Sequence, residues 1–426
     1  VKKMKSNLII TSIERRMAKT SHLKKVVYLM TLLFLTGTLS LGIYSQNSLK
    51  NGADLFFMTQ PYSKPHDGFQ SALDVIQKRY GFPGATAAYV RVDGKKGAAA
   101  TGLADVEAAT PMTPDSRMLA ASIGKMFVGA AVVTLVDEGV LTLDEPIGTW
   151  LGDREWFSRL PNHESITLRH LLTHRAGLPN HVYMDEFSVE VKHRMAKQAL
   201  PISPDSLVQF ILDKDPLFKV DEGWAYTDTG YILVGLIIEE VIELDVYSYI
   251  SEQFLKPLNL LATSPSDRYL LPGLAAGYAA ENSLGFPVKT TTPEGRMVWH
   301  PGIEWTGGGL ISTSADLACW GASLFGGDAL SDEALSLLLD TQPIDPSTDE
   351  VLYGMGVAAY NNGAYGTVYG HRGWIPGYTS SLRYYKEYGV AIAFQINTDI
   401  GIMDDSSTVV ETMESRLLEA VLEMGE

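Results

Sequence analysis

Met118-Leu119-Ala120-Ala121-Ser122-Ile123-Gly124-Lys125 runs directly into Met126-Phe127-Val128-Gly129-Ala130-Ala131-Val132-Val133-Thr134-Leu135-Val136. The apolar stretch is too long for one strand and rich in alanine, which predicts a buried helix with Ser122 in its first turn. Residues three apart share a helix face, so Ser122 and Lys125 become neighbours. A serine hydroxyl is a poor nucleophile at neutral pH, and a neighbouring amine kept unprotonated by burial can take its proton, directly or through a third group. The free N–H groups and positive dipole end of the first turn favour negative charge developing at the serine. The pair alone proves little, because a second copy, Ser21-His22-Leu23-Lys24, lies in a basic stretch that reads as targeting sequence.

The 426 residues are 46% apolar and 20% charged, with 39 Gly and 20 Pro, a globular and turn-rich composition. That length allows one large core with an inserted subdomain. Within residues 1–46, Lys24 and Lys25 precede an uncharged apolar stretch, Val26 to Tyr44, which resembles a secretory signal. Thr31, Thr36, Gly37, Thr38, Ser40 and Gly42 dilute its hydrophobicity, so export with cleavage is favoured over a retained anchor. The expected location is periplasmic or extracellular, with membrane attachment only if the segment is kept. Residues 47–68 are polar, include Pro61 and Pro65, and read as a linker before one domain spanning 69–426.

Beyond Gln46 the chain carries 26 Lys/Arg against 49 Asp/Glu, a net charge near −23 that repels nucleic acid. Cys319 is the only cysteine, which excludes an intrachain disulfide and a thiolate metal cluster.

Ala85 to Val92 and Lys96 to Ala100 flank Asp93-Gly94, a hairpin signal. The middle of the chain reads as helices and loops, with helices over 166–173, 205–212, 231–242 and 246–255 and another from Ser314. Gly307-Gly308-Gly309 marks a tight backbone passage before that last helix. Strand character returns in Tyr378 to Tyr385 and Val390 to Ile396, which flank Lys386-Glu387-Tyr388-Gly389, and an amphipathic helix over 408–424 closes the chain. Strands at both ends predict an α+β sandwich, in which N- and C-terminal segments form one antiparallel sheet flanked by helices with a helical subdomain inserted.

A serine–lysine nucleophile needs a further proton carrier and an oxyanion site. Tyr226 lies in the polar turn Trp224-Ala225-Tyr226-Thr227-Asp228-Thr229-Gly230 before an apolar helix, and neighbouring cations could lower its pKa. His371 lies in Tyr369-Gly370-His371-Arg372-Gly373-Trp374, where a strand histidine can titrate near neutrality and Gly373 would let a substrate approach the backbone. Tyr360-Asn361-Asn362 is a cleaner Tyr-x-Asn match but reads more simply as a turn, and His300-Pro301-Gly302 lacks a usable strand N–H at Pro301. His170 and His174 have a zinc-chelating spacing, yet Leu171 stands where a metalloprotease motif needs Glu, so both read as structural and no metal or cofactor is expected. Gly-x-Ser-x-Gly, phosphate-loop and dinucleotide fingerprints are absent from the sequence.

With Ser122-x-x-Lys125, Tyr226-x-Asp228 and His371-x-Gly373 in that order, the chain resembles the serine hydrolases related to class C β-lactamases, D-alanyl-D-alanine carboxypeptidases and D-aminopeptidases. Residues 139–146, 166–174 and 308–313, with Asp316-Leu317-Ala318, also look like that family's connecting segments. The resemblance implies a β-lactamase/transpeptidase-like fold and an acyl-enzyme mechanism. Ser122 would attack an acyl carbon while Lys125 and Tyr226 exchange the protons of attack and leaving-group departure. His371 would stand where β-lactamases have the Lys of Lys-Thr-Gly and would bond Tyr226. The backbone N–H groups of Ser122 and Trp374 would hold the oxyanion.

Two features depart from the pattern: Asp228, and the stretch Phe218-Lys219-Val220-Asp221-Glu222-Gly223, which lacks the usual Pro before the Gly. The second motif usually ends in Asn, whose amide donates to substrate, whereas ionised Asp228 only accepts. Arg372 and Asp228 could select substrate charge while Gly373 lets substrate lie along the strand; a salt bridge between the two, or an Arg372 facing solvent, is the equal alternative. The expectation is an exported serine hydrolase acting on amide, D-amino-acid peptide or ester substrates, with a small-molecule or peptide partner. A class C-like β-lactamase is the alternative enzyme, and a non-catalytic scaffold on the same fold is the alternative of another kind.

Overall fold

The computed structural model describes residues 62, 67–280, 285–361, 363–402 and 407–425. Segment 1–46, with its Ser21 tetrad, lies outside the described residues, as does nearly all of the 47–68 linker. The first helix among the described residues is Asp67–Tyr80, whose stripe Phe69, Leu73 and Ile76 is buried.

Twelve strands follow among the described residues, in two sheets. In chain order they are β1 (Gly84–Arg91), β2 (Lys96–Asp105), β3 (Thr110–Pro111), β4 (Met118–Leu119), β5 (Ser264–Pro265) and β6 (Leu310–Ser312). The later six are β7 (Gln342–Pro343), β8 (Val351–Tyr353), β9 (Ala358–Tyr360), β10 (Val368–Ile375), β11 (Tyr378–Tyr385) and β12 (Val390–Ile396). The large sheet has the order β3-β2-β1-β12-β11-β10-β9-β8-β7, so N- and C-terminal strands meet where β1 pairs antiparallel with β12. Both hairpins read from sequence are present, and the strands beside Lys386–Gly389 match to the residue.

Alternation along the central strands sends side chains to two cores. Ala87, Tyr89, Ile392 and Phe394 pack beneath the Asp67–Tyr80 and Val409–Leu422 helices. Ala88, Val90 and Ala393 face the opposite, larger core, which includes the Ser314–Gly326 helix. Small residues on that face let the helix lie close, since a Cβ on Gly321 would stand 2.7 Å from Leu382 and 3.5 Å from Ala391. The result is the expected α+β sandwich.

The middle of the chain is less regular than its reading. The expected helix over 166–173 is one short turn, Leu168–Leu172, and 205–212 becomes Pro204–Val208 followed by a 3-10 turn. The helix expected from Tyr231 begins at Asp228, and 246–255 passes from α to π geometry at Ser251. A small sheet, β4-β6-β5, lies within this otherwise helical region. No helix among the described residues is long and apolar enough to cross a membrane.

Candidate active site

Ser122 lies in a 3-10 turn, Ala121–Ile123, that leads into a helix at Gly124–Asp137 buried on almost every side. Ala121 immediately before it has φ of +49°, a left-handed conformation that costs an alanine about 1–2 kcal/mol and must be held by its surroundings. Those surroundings are tight. A Cβ on Gly308 would stand 2.6 Å from the Ala121 carbonyl carbon, and one on Gly373 would stand 2.4 Å from the Ala120 oxygen and 2.3 Å from Ser380 Oγ. Ser380 Oγ also donates to the Ala120 oxygen at 2.8 Å. The triple-glycine passage and Gly373 therefore clamp the turn that carries the nucleophile. Gly373 also lines the cavity, as the sequence reading expected, and a side chain there would meet the Ser380 hydroxyl and the Ala120 carbonyl.

Lys125 is fully buried and its Nζ donates to Ser122 Oγ at 3.3 Å, Asp228 Oδ1 at 2.5 Å and the Gly307 oxygen at 2.5 Å. Three acceptors match the three hydrogens of an ammonium, so in this arrangement lysine is a donor. Burial works against the Asp228 carboxylate, but the charge and hydrogen bond of Lys125 outweigh it and hold its pKa below the usual range. Asp228 sits in the first turn of the Asp228–Ile242 helix, where the dipole also favours a carboxylate. Its Oδ2 accepts from Asn180 Nδ2 at 3.2 Å, while Asn180 Oδ1 accepts from the Val182 N–H. Both carboxylate oxygens thus have protein partners.

Tyr226 lies beside this group, with Lys125 Nζ 4.8 Å from its ring centroid. Its hydroxyl is buried without a hydrogen-bond partner among the described residues. Burial and then Asp228 push its pKa well above the ordinary tyrosine value, while the nearby Ser122 hydroxyl pulls the other way. Tyr226 is therefore a phenol at neutral pH.

His371 takes a different partner from the one expected. Its Nδ1 lies 2.5 Å from the Arg372 carbonyl, which can only accept, so Nδ1 carries the hydrogen and Nε2 accepts from the Tyr353 hydroxyl at 2.9 Å. Its ring is 6.1 Å from that of Tyr226, and burial, then Lys125, lower its pKa to about 3. A neutral, doubly engaged imidazole cannot bond Tyr226 in this arrangement. Of the alternatives for Arg372, a pair with Asp228 is not formed: its guanidinium bonds Glu414 at 2.8 and 3.0 Å and Glu411 at 2.7 Å on the closing helix.

His170 accepts from the Thr167 N–H in a capping box, and His174 lies past that helix with φ of +60° amid Tyr226, Tyr231 and Tyr353. The two histidines serve separate places.

β9 pairs with β10 only at Val368–Gly370, so the stretch from His371 to Ile375 has one edge that no strand covers among the described residues. That edge meets the Ser122 turn and includes Trp374, whose indole donates to Asp399. The groove between them opens into a cavity of about 540 Å³ lined by Ser122, Tyr226, Asp228, Glu304, His371 and Trp374. Sequence reasoning missed Asn180, Tyr353 and Glu304. Glu304 alone left a trace, as a single acid in the otherwise uncharged run from Met297 to Ser314.

The sequence and the fold have counterparts among known proteins. The family described as Beta-lactamase matches residues 69–410. A penicillin-binding protein of Bacillus subtilis (strain 168) is 25% identical over 309 residues, covering 70% of this chain and 64% of its own length. The protein flp of Staphylococcus aureus (strain COL) is 26% identical over 51% of this chain, so the match spans only 41% of that relative. Among solved structures, a D-amino acid amidase of Ochrobactrum anthropi SV3 superimposes with a TM-score of 0.71 at 26% identity, over 84% of this chain and 99% of its own. A D-stereospecific amidohydrolase of Streptomyces sp. gives 0.68 at 26%, over 84% and 98%. Their coverage extends across both the sheet and the helical region.

Proposed function

The chain belongs to the Beta-lactamase family, and from that premise we propose that it is an exported serine hydrolase that cleaves amides of D-amino acids through an acyl-enzyme on Ser122. The observation that carries the proposal is Ser122 Oγ 3.3 Å from a buried lysine ammonium at the wall of a 540 Å³ cavity. The likeness to the two D-amino-acid hydrolases supports the choice of amide.

In the proposed reaction Lys125 must give up a proton before it can take one. Asp228 Oδ1, 2.5 Å away, is the carboxylate placed to receive it. The neutral amine then takes the Ser122 proton as Oγ bonds the acyl carbon, and the oxyanion is received by the Ser122 and Trp374 N–H groups. The Tyr226 phenol protonates the leaving nitrogen as its bond to carbon breaks, and recovers its proton from Lys125. Hydrolysis repeats the sequence with water in place of serine. His371 has a positioning role, fixed through Tyr353.

A β-lactamase is the second reading, supported by family membership. The cavity does not favour it, because the cations at its edge among the described residues, Lys125 and Arg372, are already paired with Asp228, Glu411 and Glu414, leaving neither for a β-lactam's carboxylate. A panel of D- and L-aminoacyl p-nitroanilides, p-nitrophenyl acetate and nitrocefin tests the proposal. D-anilide turnover exceeding that of the L-isomer is expected; nitrocefin as the best substrate, or no turnover of any, contradicts it. Mass analysis of the mature N-terminus tests export, with cleavage near Gln46 expected and an intact segment opposing it.

A further inference from the structure

Glu304 is the acid at the cavity that neither an ion-pair partner among the described residues nor the proposed chemistry accounts for. It follows the 3-10 turn Pro301–Ile303 and its Oε2 is buried without a hydrogen-bond partner among the described residues. A buried carboxyl left unpaired is costly, so its retention calls for a ligand. Asp228 and Lys125 satisfy each other, Arg372 is held by Glu411 and Glu414, and His371 and His181 are neutralised by burial. Among the described residues lining the cavity, Glu304 is the acid left without a charged partner. Burial chiefly, with Asp228 adding to it against the pull of Lys125, raises its pKa to about 8; Tyr226 and Tyr247 are the other titratable neighbours. An arriving cation would ionise it.

Its position suits one cation in particular. A Cβ on Gly308 would stand 2.8 Å from Glu304 Oε1 and 2.7 Å from the Ala121 oxygen, so the carboxyl lies against the backbone turn that carries the nucleophile. In an amino-acyl compound the α-nitrogen is only ~2.5 Å from the carbonyl carbon under attack. The same cavity is walled by Phe187, Phe286, Trp299 and Ile303, an apolar surface beside the acid.

We infer that Glu304 binds the substrate's free ammonium, with the apolar wall taking the adjoining side chain, so that N-unblocked amides of apolar amino acids are the preferred substrates. The inference rests on the serine-hydrolase reading and names the substrate class of the same site. It excludes compounds whose amine is acylated and those that present a carboxylate at that point.

The test uses D-phenylalaninamide and N-acetyl-D-phenylalaninamide as competitors of p-nitrophenyl acetate turnover, an ester with no amine. The wild type should bind the free amine at least 10-fold more tightly than the acetylated form. Glu304→Gln, which replaces a protonated carboxyl with its neutral isostere, should reduce that preference, read as the ratio of the two inhibition constants within each variant, to under threefold; Glu304→Ala should do the same. Equal binding of the two amides by the wild type, or a preference that survives both substitutions, overturns the inference. Absence of ester turnover in the wild type refutes the hydrolase reading instead.

Discussion

Replacing Asp228 with asparagine isolates the contact on which the proposed proton route depends. The side chain keeps its shape, but Lys125 Nζ loses the carboxylate at 2.5 Å and the amide nitrogen introduced by Asp228→Asn has to face a donor. Turned toward Asn180 it meets Nδ2, since Asn180 Oδ1 is committed to the Val182 N–H. Turned toward Lys125 it meets the ammonium. Removing one partner of a buried ion pair costs about 3–5 kcal/mol. Asp228 is 23% exposed and Lys125 retains the Gly307 carbonyl, which places the expected loss at the lower end, ~3 kcal/mol, read as a shift in urea midpoint. The catalytic effect is separate. If Asp228 receives the lysine proton, its loss removes a positioned proton acceptor worth about 10²–10⁴ in rate, or ~3–5 kcal/mol of activation free energy. Stopped-flow acylation by p-nitrophenyl acetate measures this directly, since the burst of nitrophenol reports the first step. A variant that is folded and acylates within threefold of wild type would refute the role given to Asp228.

Gly373→Ala would place a methyl 2.3 Å from Ser380 Oγ and 2.4 Å from the Ala120 carbonyl, so acylation should fall by ~10² or more as the Ser122 turn is displaced; unchanged acylation rates would contradict the clamp. Tyr353→Phe leaves His371 Nε2 buried without its donor, and kcat should fall ~10-fold with KM little changed, a split that steady-state kinetics resolves. Glu414 has a pKa lowered to about 2, because Arg383 and Arg372 outweigh the effect of burial. A carboxyl depressed in the folded state stabilises above its unfolded value and loses that contribution as pH falls through the folded value, so ~3 kcal/mol should disappear between about pH 4.5 and 2. Glu414→Gln should remove that slope and cost about 3–5 kcal/mol in urea unfolding at pH 7; a loss under 1 kcal/mol would show the pair to be dispensable.

The elements legible in the sequence were those fixed by local chemistry. Asp93-Gly94 and Lys386–Gly389 give turn and register together, and largely uncharged runs flank each of them, so both hairpins could be placed. The Ser122 helix was legible because it is apolar on all sides. The Asp185–Lys197 helix was not, since only Phe187 and Val191 of its residues are buried and the rest lack a sustained stripe. Strands β7 to β9 are too short to show a period and gain meaning only from pairing onward from β10. The site followed the same division. Ser122, Lys125 and Asp228 come together in the structure, but Asn180 reaches Asp228 across 48 residues and Tyr353 reaches His371 across 18, through single hydrogen bonds that no local pattern encodes. The resemblance implied a bond between His371 and Tyr226, but distant partners decide otherwise: Tyr353 engages His371, and Glu411 with Glu414 occupies Arg372.

The central claim is that Ser122 is the nucleophile. Intact-mass spectrometry of the purified protein after treatment with a fluorophosphonate, followed by peptide mapping, tests it most directly. A single adduct on the peptide carrying Ser122, lost in Ser122→Ala, is the predicted result; no adduct, or one that persists undiminished in Ser122→Ala, contradicts the account.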